Sequence, residues 1–328
     1  MAKAKDRRNR LVLGGMCAMA TDKDQTYYSA CPVCSSTYKP WRSKQVGDHQ
    51  YSMDLCQGCG YCFVNPRPSL EFLMDYYATF GHGDAEIARE KPTLESVEER
   101  ERMFPNSTVD AKCLVKAIQS LLSRSATAQR ISNRFLDVGC GYGFFSREAQ
   151  RAGFDVQALE LAQIERQIAH RMTGLDPTAS SFEEYDCEPS SLGVVLMSQI
   201  LEHVLDVNLW VDKANRLLEP GGILAIALPN YGSITRRLLQ ERDPFVCPPT
   251  HLNFFSPRSL SSLLRKHGFE VEKIEWVSRL PKSTFEKRCP GFARPILPLV
   301  HLGTGLALQG VDLGRLGMVI RVYGRKKS

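Results

Sequence analysis

The stretch Phe135-Leu136-Asp137-Val138-Gly139-Cys140-Gly141-Tyr142-Gly143 decides how this chain is read. Arg134–Val138 is apolar and short enough for a buried strand, and Phe144–Gly153 behind it reads as a helix, so three glycines occupy the turn between them. Glycine permits the sharp turn and lets a ligand approach the backbone with no Cβ in the way. The first turn of the helix adds unpaired amides for a carboxylate or phosphate. About twenty residues on, Glu160 closes the next strand, where a carboxylate can accept hydrogen bonds from both hydroxyls of a ribose. The spacing is G-x-G-x-G, whereas a dinucleotide loop has G-x-G-x-x-G, and Asp137 stands just before the first glycine. An acid there suits the cationic end of a ligand and repels a pyrophosphate.

Outward from this turn, strand-like and helix-like segments alternate. Strands are expected at Arg134–Val138, Phe154–Glu160, near Pro177–Ser180, at Leu192–Ser198, Gly222–Leu228, Phe269–Val277 and Met318–Gly324. Helices are expected over Phe144–Gly153, Ala162–Met172, Val207–Leu218 and Pro257–His267, the third with Leu209, Trp210, Ala214, Leu217 and Leu218 on one side. This alternation predicts an α/β fold, a parallel sheet with helices on both faces, its last strand arriving after a long insertion. Upstream, Ser69–Phe80, Asp84–Arg102 and Val109–Ser123 read as helices. The predicted organisation is a flexible basic tail over 1–25, a Cys-bearing module over 26–68, a helical linker and lid over 69–130, and the α/β domain over 131–328. Insertions at 231–256 and 279–317 lie on its substrate side.

Of the common nucleotide-like cofactors, S-adenosylmethionine carries an ammonium and a sulfonium where NAD carries two phosphates, so Asp137 favours the former. The segment from Phe135 to about Phe269 also resembles the class I methyltransferases of the seven-stranded Rossmann-like type. Beyond the glycine-rich loop and Glu160, the likeness rests on Ile200-Leu201-Glu202-His203-Val204, Leu217-Leu218-Glu219-Pro220-Gly221-Gly222, Leu228-Pro229-Asn230, His251-Leu252-Asn253-Phe254-Phe255-Ser256 and His267-Gly268-Phe269, in this order. The resemblance implies that Asp137, Gly139 and Gly141 cradle the methionine part of S-adenosylmethionine and that Glu160 and Leu161 hold its ribose. It implies that Ser181, Phe182 and Glu183 approach the adenine, and that Ser198 and Gln199 line the floor near the sulfonium. A hydroxyl acceptor benefits from a nearby base, and His251 and His203 are the catalytic candidates. Ubiquinone-pathway O-methyltransferases carry a similar Glu-x-x-Glu-His that holds a divalent ion. Here Gln199 replaces the first Glu, so Glu202 and His203 are read as shaping the pocket. Tyr76 and Tyr77 are candidates to close over the cofactor.

Cys31-x-x-Cys34 and Cys56-x-x-Cys59, about twenty residues apart, can each form a tight knuckle with both thiolates on one ion, and four thiolates suit tetrahedral zinc. Gly58 and Gly60 help the second knuckle turn, and Cys62 is a spare. A site closed by four protein ligands is structural and holds together a unit with little core of its own. The run from Cys31-Pro32-Val33-Cys34 through Cys56-Gln57-Gly58-Cys59-Gly60-Tyr61-Cys62 to Pro68, followed by the Tyr76-Tyr77 helix, resembles the N-terminal unit of bacterial methyltransferases acting on sugars, cell-surface polysaccharides or natural products. Zinc-bearing ribosomal-RNA methyltransferases are similar too, but they use a histidine and a shorter gap.

Composition bounds the rest. With 328 residues, 43% hydrophobic and 24% charged, the chain can hold one large domain and a small module. A formal charge of +6, thickest in Lys3–Arg10 and Arg321–Lys327, does not argue for nucleic acid; peripheral contact with an anionic membrane or polymer stays open. The eleven cysteines do not form a disulfide pattern, which fits a reducing, cytoplasmic setting. Lys3–Ala20 imitates a signal peptide, but a cytosolic cofactor and a thiolate site argue against export. No apolar run reaches about eighteen residues, and Ile296–Leu308 reads as a buried or interfacial helix. The preferred function is methylation, most readily on oxygen, of a small or glycosylated acceptor. The alternatives are RNA methylation, with the module gripping RNA through Tyr38–Lys44, and a silent scaffold that binds S-adenosylmethionine.

Overall fold

The computed structural model describes residues 25–80, 93–124, 131–279 and 297–328. All but Gln25 of the predicted basic tail, and parts of the predicted lid and of the insertion 279–317, lie outside them. Near the N-terminus, Tyr38–Val46 (β1) and His49–Cys56 (β2) pair antiparallel, with Val46 opposite His49, and Cys62–Val64 (β3) pairs back onto β2. Three helices follow: Leu70–Phe80 (α1), Leu94–Met103 (α2) and Pro105–Leu122 (α3). The last begins earlier than hydrophobic spacing alone suggests, because Pro105 fits the first helical turn, where its missing N–H costs nothing.

The main sheet is built from Arg134–Val138 (β4), Asp155–Leu159 (β5), Leu192–Ser198 (β6), Leu218–Pro229 (β7), Phe269–Val277 (β9) and Val319–Lys326 (β10), in the order β5-β4-β6-β7-β10-β9. Helices Phe144–Arg151 (α4), Gln163–Thr173 (α5), Val207–Leu217 (α6) and Pro257–Lys266 (α8) flank it. Ile234–Leu239 (α7), unforeseen in the sequence, and Leu297–Leu313 (α9) lie in the two insertions. Strands β5, β4, β6 and β7 are parallel, whereas β10 runs antiparallel to both β7 and β9. The sheet has six described strands, not the predicted seven. Near Pro177 the expected third strand shrinks to one parallel bridge, Leu159 to Thr178. Pro177 has no N–H for a ladder, and the chain turns away at once through Ser181–Tyr185.

Alternation along the central strands divides the core in two. Phe135, Val194, Leu196, Ile223 and Ala225 meet α3 and α4 through Leu114, Ile118 and Ala149. Leu136, Val195, Met197, Leu224 and Ile226 meet α6 and α8 through Val211, Leu217, Leu260 and Leu264. Leu209 departs from the expected face: its helical angle puts it about half a turn from Val207 and Val211, and it is 52% exposed. The helix expected near Ile296–Leu308 forms as α9, with Leu306 and Leu313 exposed.

The Cys-bearing unit is joined to this core. Asn253–Phe254 (β8), from the insertion after β7, adds a fourth strand to β1-β2-β3, with Cys62 opposite Phe254 and Phe63 opposite Asn253. The sheet thus crosses the boundary expected near residue 68. Among the described residues, no helix is long and apolar enough to cross a membrane. Leu196→Ala in β6 should cost about 2–5 kcal/mol in urea unfolding, against about 0.5 kcal/mol for the exposed Leu209→Ala.

Candidate functional site

The carboxyl ends of the parallel strands share one edge, and the chain reverses direction across the sheet between β5 and β6, on either side of β4. Ligand clefts of open α/β sheets form at this edge. The glycine-rich loop leaves β4 with Gly139, Gly141 and Gly143 all at positive φ. At Gly139 the φ of 66 favours glycine, and a Cβ there would lie 2.3 Å from Ile200 Cδ1 and force that side chain to move. The same proximity sets the loop against the turn that follows β6. Gly143 caps α4 without a side chain, which leaves first-turn amides for a ligand.

Glu160 stands at the tip of β5 with both oxygens engaged. Oε2 accepts from the Gly141 amide at 2.9 Å and Oε1 from the Ala162 amide at 2.9 Å, so this carboxylate touches the glycine-rich loop itself. Asp137 is fully buried and accepts from the Ser146 hydroxyl at 2.6 Å; burial raises its pKa to about 6 while Ser146 pulls it back. Leu161 is exposed beside Glu160. Of the residues expected near the adenine, Ser181 caps a turn by accepting from the Glu184 amide, and Phe182 is buried against Trp210 at 5.1 Å between ring centres. Trp210 Nε1 also donates to Glu183 at 2.5 Å. Ser198 ends β6 half-buried, and Gln199 after it sits at φ 58, held by its amide on the Ala227 carbonyl. A non-glycine residue at positive φ costs about 1 kcal/mol or more and tends to mark functional turns. Of the two expected lid tyrosines, Tyr76 is half-buried on α1, and the side chain of Tyr77 lies outside the described residues.

Next to this turn the structure gathers Glu202, His203 and His251, whose candidate ligand atoms all lie within 4.8 Å of one another. His203 donates from Nδ1 to the Thr250 carbonyl at 2.9 Å and His251 from Nδ1 to the Phe245 carbonyl at 2.8 Å, and the two rings meet edge to face at 4.8 Å. With the proton on Nδ1, Nε2 is the lone-pair nitrogen when the ring is neutral. Burial lowers the His251 pKa, keeping it neutral near pH 7. Glu202 is 1% exposed, and neither of its oxygens has a hydrogen-bond partner. It lines a small cavity with Asn230, Tyr231, Arg236, Asp243 and His251, and Asp243 Oδ2 is likewise buried and unpartnered. These groups can move a proton through Nε2 of His251, accept hydrogen bonds from hydroxyls, or hold a divalent cation.

The four knuckle cysteines also converge. Cys31 and Cys59 Sγ lie 3.8 Å apart and Cys34 and Cys56 Sγ 3.4 Å apart, and all four fall within 4.8 Å. Thiolates at about 2.3 Å from a tetrahedral zinc sit about 3.8 Å from each other, so the donor set fits that ion. The bond from the Cys59 thiol lowers the Cys31 pKa to about 5, and the same contact raises that of Cys59. Gly60 closes the second knuckle at φ 75, its amide on the Cys56 carbonyl.

Asn253, Tyr61 and Arg67 are part of this region and drew no role from the sequence, although all three lie in segments that carry the family resemblances. Their side chains meet only in the fold, so spacing carried no signal of them. Compared with known proteins, a family model described as "Methyltransferase domain" matches residues 110–274. The mouse mitochondrial ubiquinone biosynthesis O-methyltransferase is 27% identical over 156 residues, 43% of this chain and 42% of that protein. The ubiquinone biosynthesis O-methyltransferase of Xanthomonas euvesicatoria pv. vesicatoria is 30% identical over 153 residues, 43% of this chain and 64% of that protein. The chain therefore spans about half the length of these relatives. A solved S-adenosylmethionine-dependent methyltransferase from Thermotoga maritima is similar at 21% identity, covering 70% of this chain and 96% of that one, with a TM-score of 0.48.

Burial raises the Glu202 pKa from 4.5 to about 8. The folded chain therefore keeps a proton there that the unfolded chain has already released, and stability falls as pH rises between these two values. Urea unfolding should find Glu202→Gln and wild type alike near the lower value. At the upper one the variant should be more stable by about 3–5 kcal/mol.

Proposed function

This chain belongs to the methyltransferase family whose model it matches, and from that premise we propose that it transfers a methyl group from S-adenosylmethionine to a hydroxyl of a small or glycosylated acceptor. The observation that carries the donor half is the contact of Glu160 with the Gly141 amide. It joins the acid at the tip of β5 to the turn after β4, the pair of features a ribose and a methionine carboxylate would need. Bound here, S-adenosylmethionine supplies an electrophilic methyl on its sulfonium. Glu160 and Leu161 would hold the ribose, the loop around Gly139 and Gly141 the methionine part, Ser181 and Phe182 the adenine side, and Ser198 and Gln199 the floor.

For the acceptor half, His251 is the base. Its Nδ1 proton is fixed on a backbone carbonyl and burial keeps it neutral, so Nε2 can take the acceptor's proton as oxygen attacks. His203, pinned likewise, packs on it and orients the ring. The unpartnered carboxyl of Glu202 and Oδ2 of Asp243 favour an acceptor whose hydroxyls can both donate and accept hydrogen bonds. The names of the O-methylating relatives support oxygen as the target, and the resemblance of the N-terminal unit to that of methyltransferases acting on sugars, cell-surface polysaccharides or natural products supports such an acceptor. Cys31, Cys34, Cys56 and Cys59 hold a structural zinc, and their reduced thiols suit the cytoplasm.

Calorimetry should register S-adenosylmethionine binding to wild type and a loss of about tenfold or more with Glu160→Ala; no heat with wild type would sink the donor assignment. Elemental analysis of the purified chain should find one zinc per chain, absent from Cys59→Ser. With radiolabelled donor and hydroxylated acceptors, His251→Ala should lower kcat about 10²- to 10⁴-fold at unchanged donor affinity.

A further inference from the structure

The four-cysteine unit does more than complete its own fold: we infer that it positions the acceptor-side histidines, with Asn253 as the positioning residue. Asn253 is buried, and its side-chain amide is fully used. Oδ1 accepts from the Tyr61 hydroxyl and from Arg67 Nη2, while Nδ2 donates to the Leu201 carbonyl at 2.8 Å and the Val204 carbonyl at 2.7 Å. Tyr61 belongs to the second knuckle: its carbonyl accepts from the Cys56 amide at 2.9 Å, and its ring stacks on Phe63 and meets Phe255 at a tilt. Arg67 also donates to the Leu252 carbonyl at 2.8 Å. On the other side, the Leu252 and Asn253 amides both donate to the Glu202 carbonyl, at 2.7 and 3.1 Å.

One path of buried hydrogen bonds therefore runs from the metal knuckle through Tyr61 and Asn253 to the turn that carries Glu202 and His203. His251 lies two positions before Asn253 on the same strand-like stretch, and His203 bonds the carbonyl of Thr250 beside it. A buried amide with all its hydrogen bonds made, as at Asn253, holds one geometry, because any rearrangement strands a donor or acceptor away from water. The first knuckle is anchored as well: the Pro32 carbonyl accepts from Asn208 of α6 at 3.1 Å and Lys266 of α8 at 3.0 Å. The knuckle is thus clamped to the core, and a displacement of Tyr61 is passed by its hydroxyl directly to Asn253 and so to the turn that carries His203.

This rests on the readings of the cysteines as a metal knuckle and of His251 as a base, and the test separates all three. Full-length protein labelled with ¹⁵N-histidine reports the side-chain resonances of His203 and His251 at fixed pH, assigned through His203→Gln and His251→Gln. Asn253→Ala should erase the Nδ1-protonated signature of both rings while His170, on α5, stays in place. Tyr61→Phe, which leaves Arg67 donating to Asn253, should shift the same two signals by less, and it serves if Asn253→Ala does not fold. Removing the metal with a chelator should reproduce the Asn253→Ala pattern. The inference is overturned if the folded variants leave His203 and His251 unmoved, or if His170 moves with them. Protein purified without metal would defeat the zinc reading alone. Intact resonances in a chain whose His251→Ala form still turns over fully would defeat the base alone.

Discussion

The side chain of Asn253 has two donors and two acceptor sites, and the protein fills them all with groups from distant parts of the chain. An amide buried with even one of these unmet would cost about 1–3 kcal/mol, so the partners are held in a single arrangement. Those partners are the knuckle tyrosine, the arginine after β3, and the two ends of the turn after β6. Strand β8 exists because this arrangement brings Asn253 and Phe254 alongside Phe63 and Cys62. A two-residue strand has little stability of its own; here it closes a sheet whose other three strands come from the Cys-bearing unit.

The electrostatics of the two halves of the site differ in a way that suits their proposed tasks. On the donor side, both oxygens of Glu160 are engaged by backbone amides, from Gly141 and Ala162. On the acceptor side, Glu202 is enclosed without hydrogen-bond partners and retains its proton to about pH 8. A neutral carboxyl beside a neutral His251 leaves the histidine free to gain a proton without already sharing it. The turn between the two halves is the strained one, with Gln199 at φ 58 and Ile200 packed against Gly139. The glycine-rich loop and the histidine pair are therefore neighbours through one short segment.

Much of this was legible in the linear sequence because it depends on local periodicity. The strand-turn-helix at Arg134–Arg151, the helices α6 and α8, and the knuckle pairs follow from spacing of apolar residues, glycines and cysteines. Where the reading erred, a competing local term decided. Pro177 could not donate to a ladder, so the third strand became a bridge, and the helical angle of Leu209 turned it to solvent although its composition suggested the core.

The sequence by itself determined the alternating α/β plan, the glycine turn with its acid at the next strand, and a four-thiolate set, since each is written within a few residues or at a fixed period. Only the tertiary structure decided that the Cys-bearing unit shares a sheet with the insertion after β7, that His203 and His251 meet, and that both oxygens of Glu202 and Oδ2 of Asp243 are buried without partners. Those outcomes join residues from opposite parts of the chain. They are fixed by hydrogen-bond saturation and burial, which no local pattern of residue types encodes.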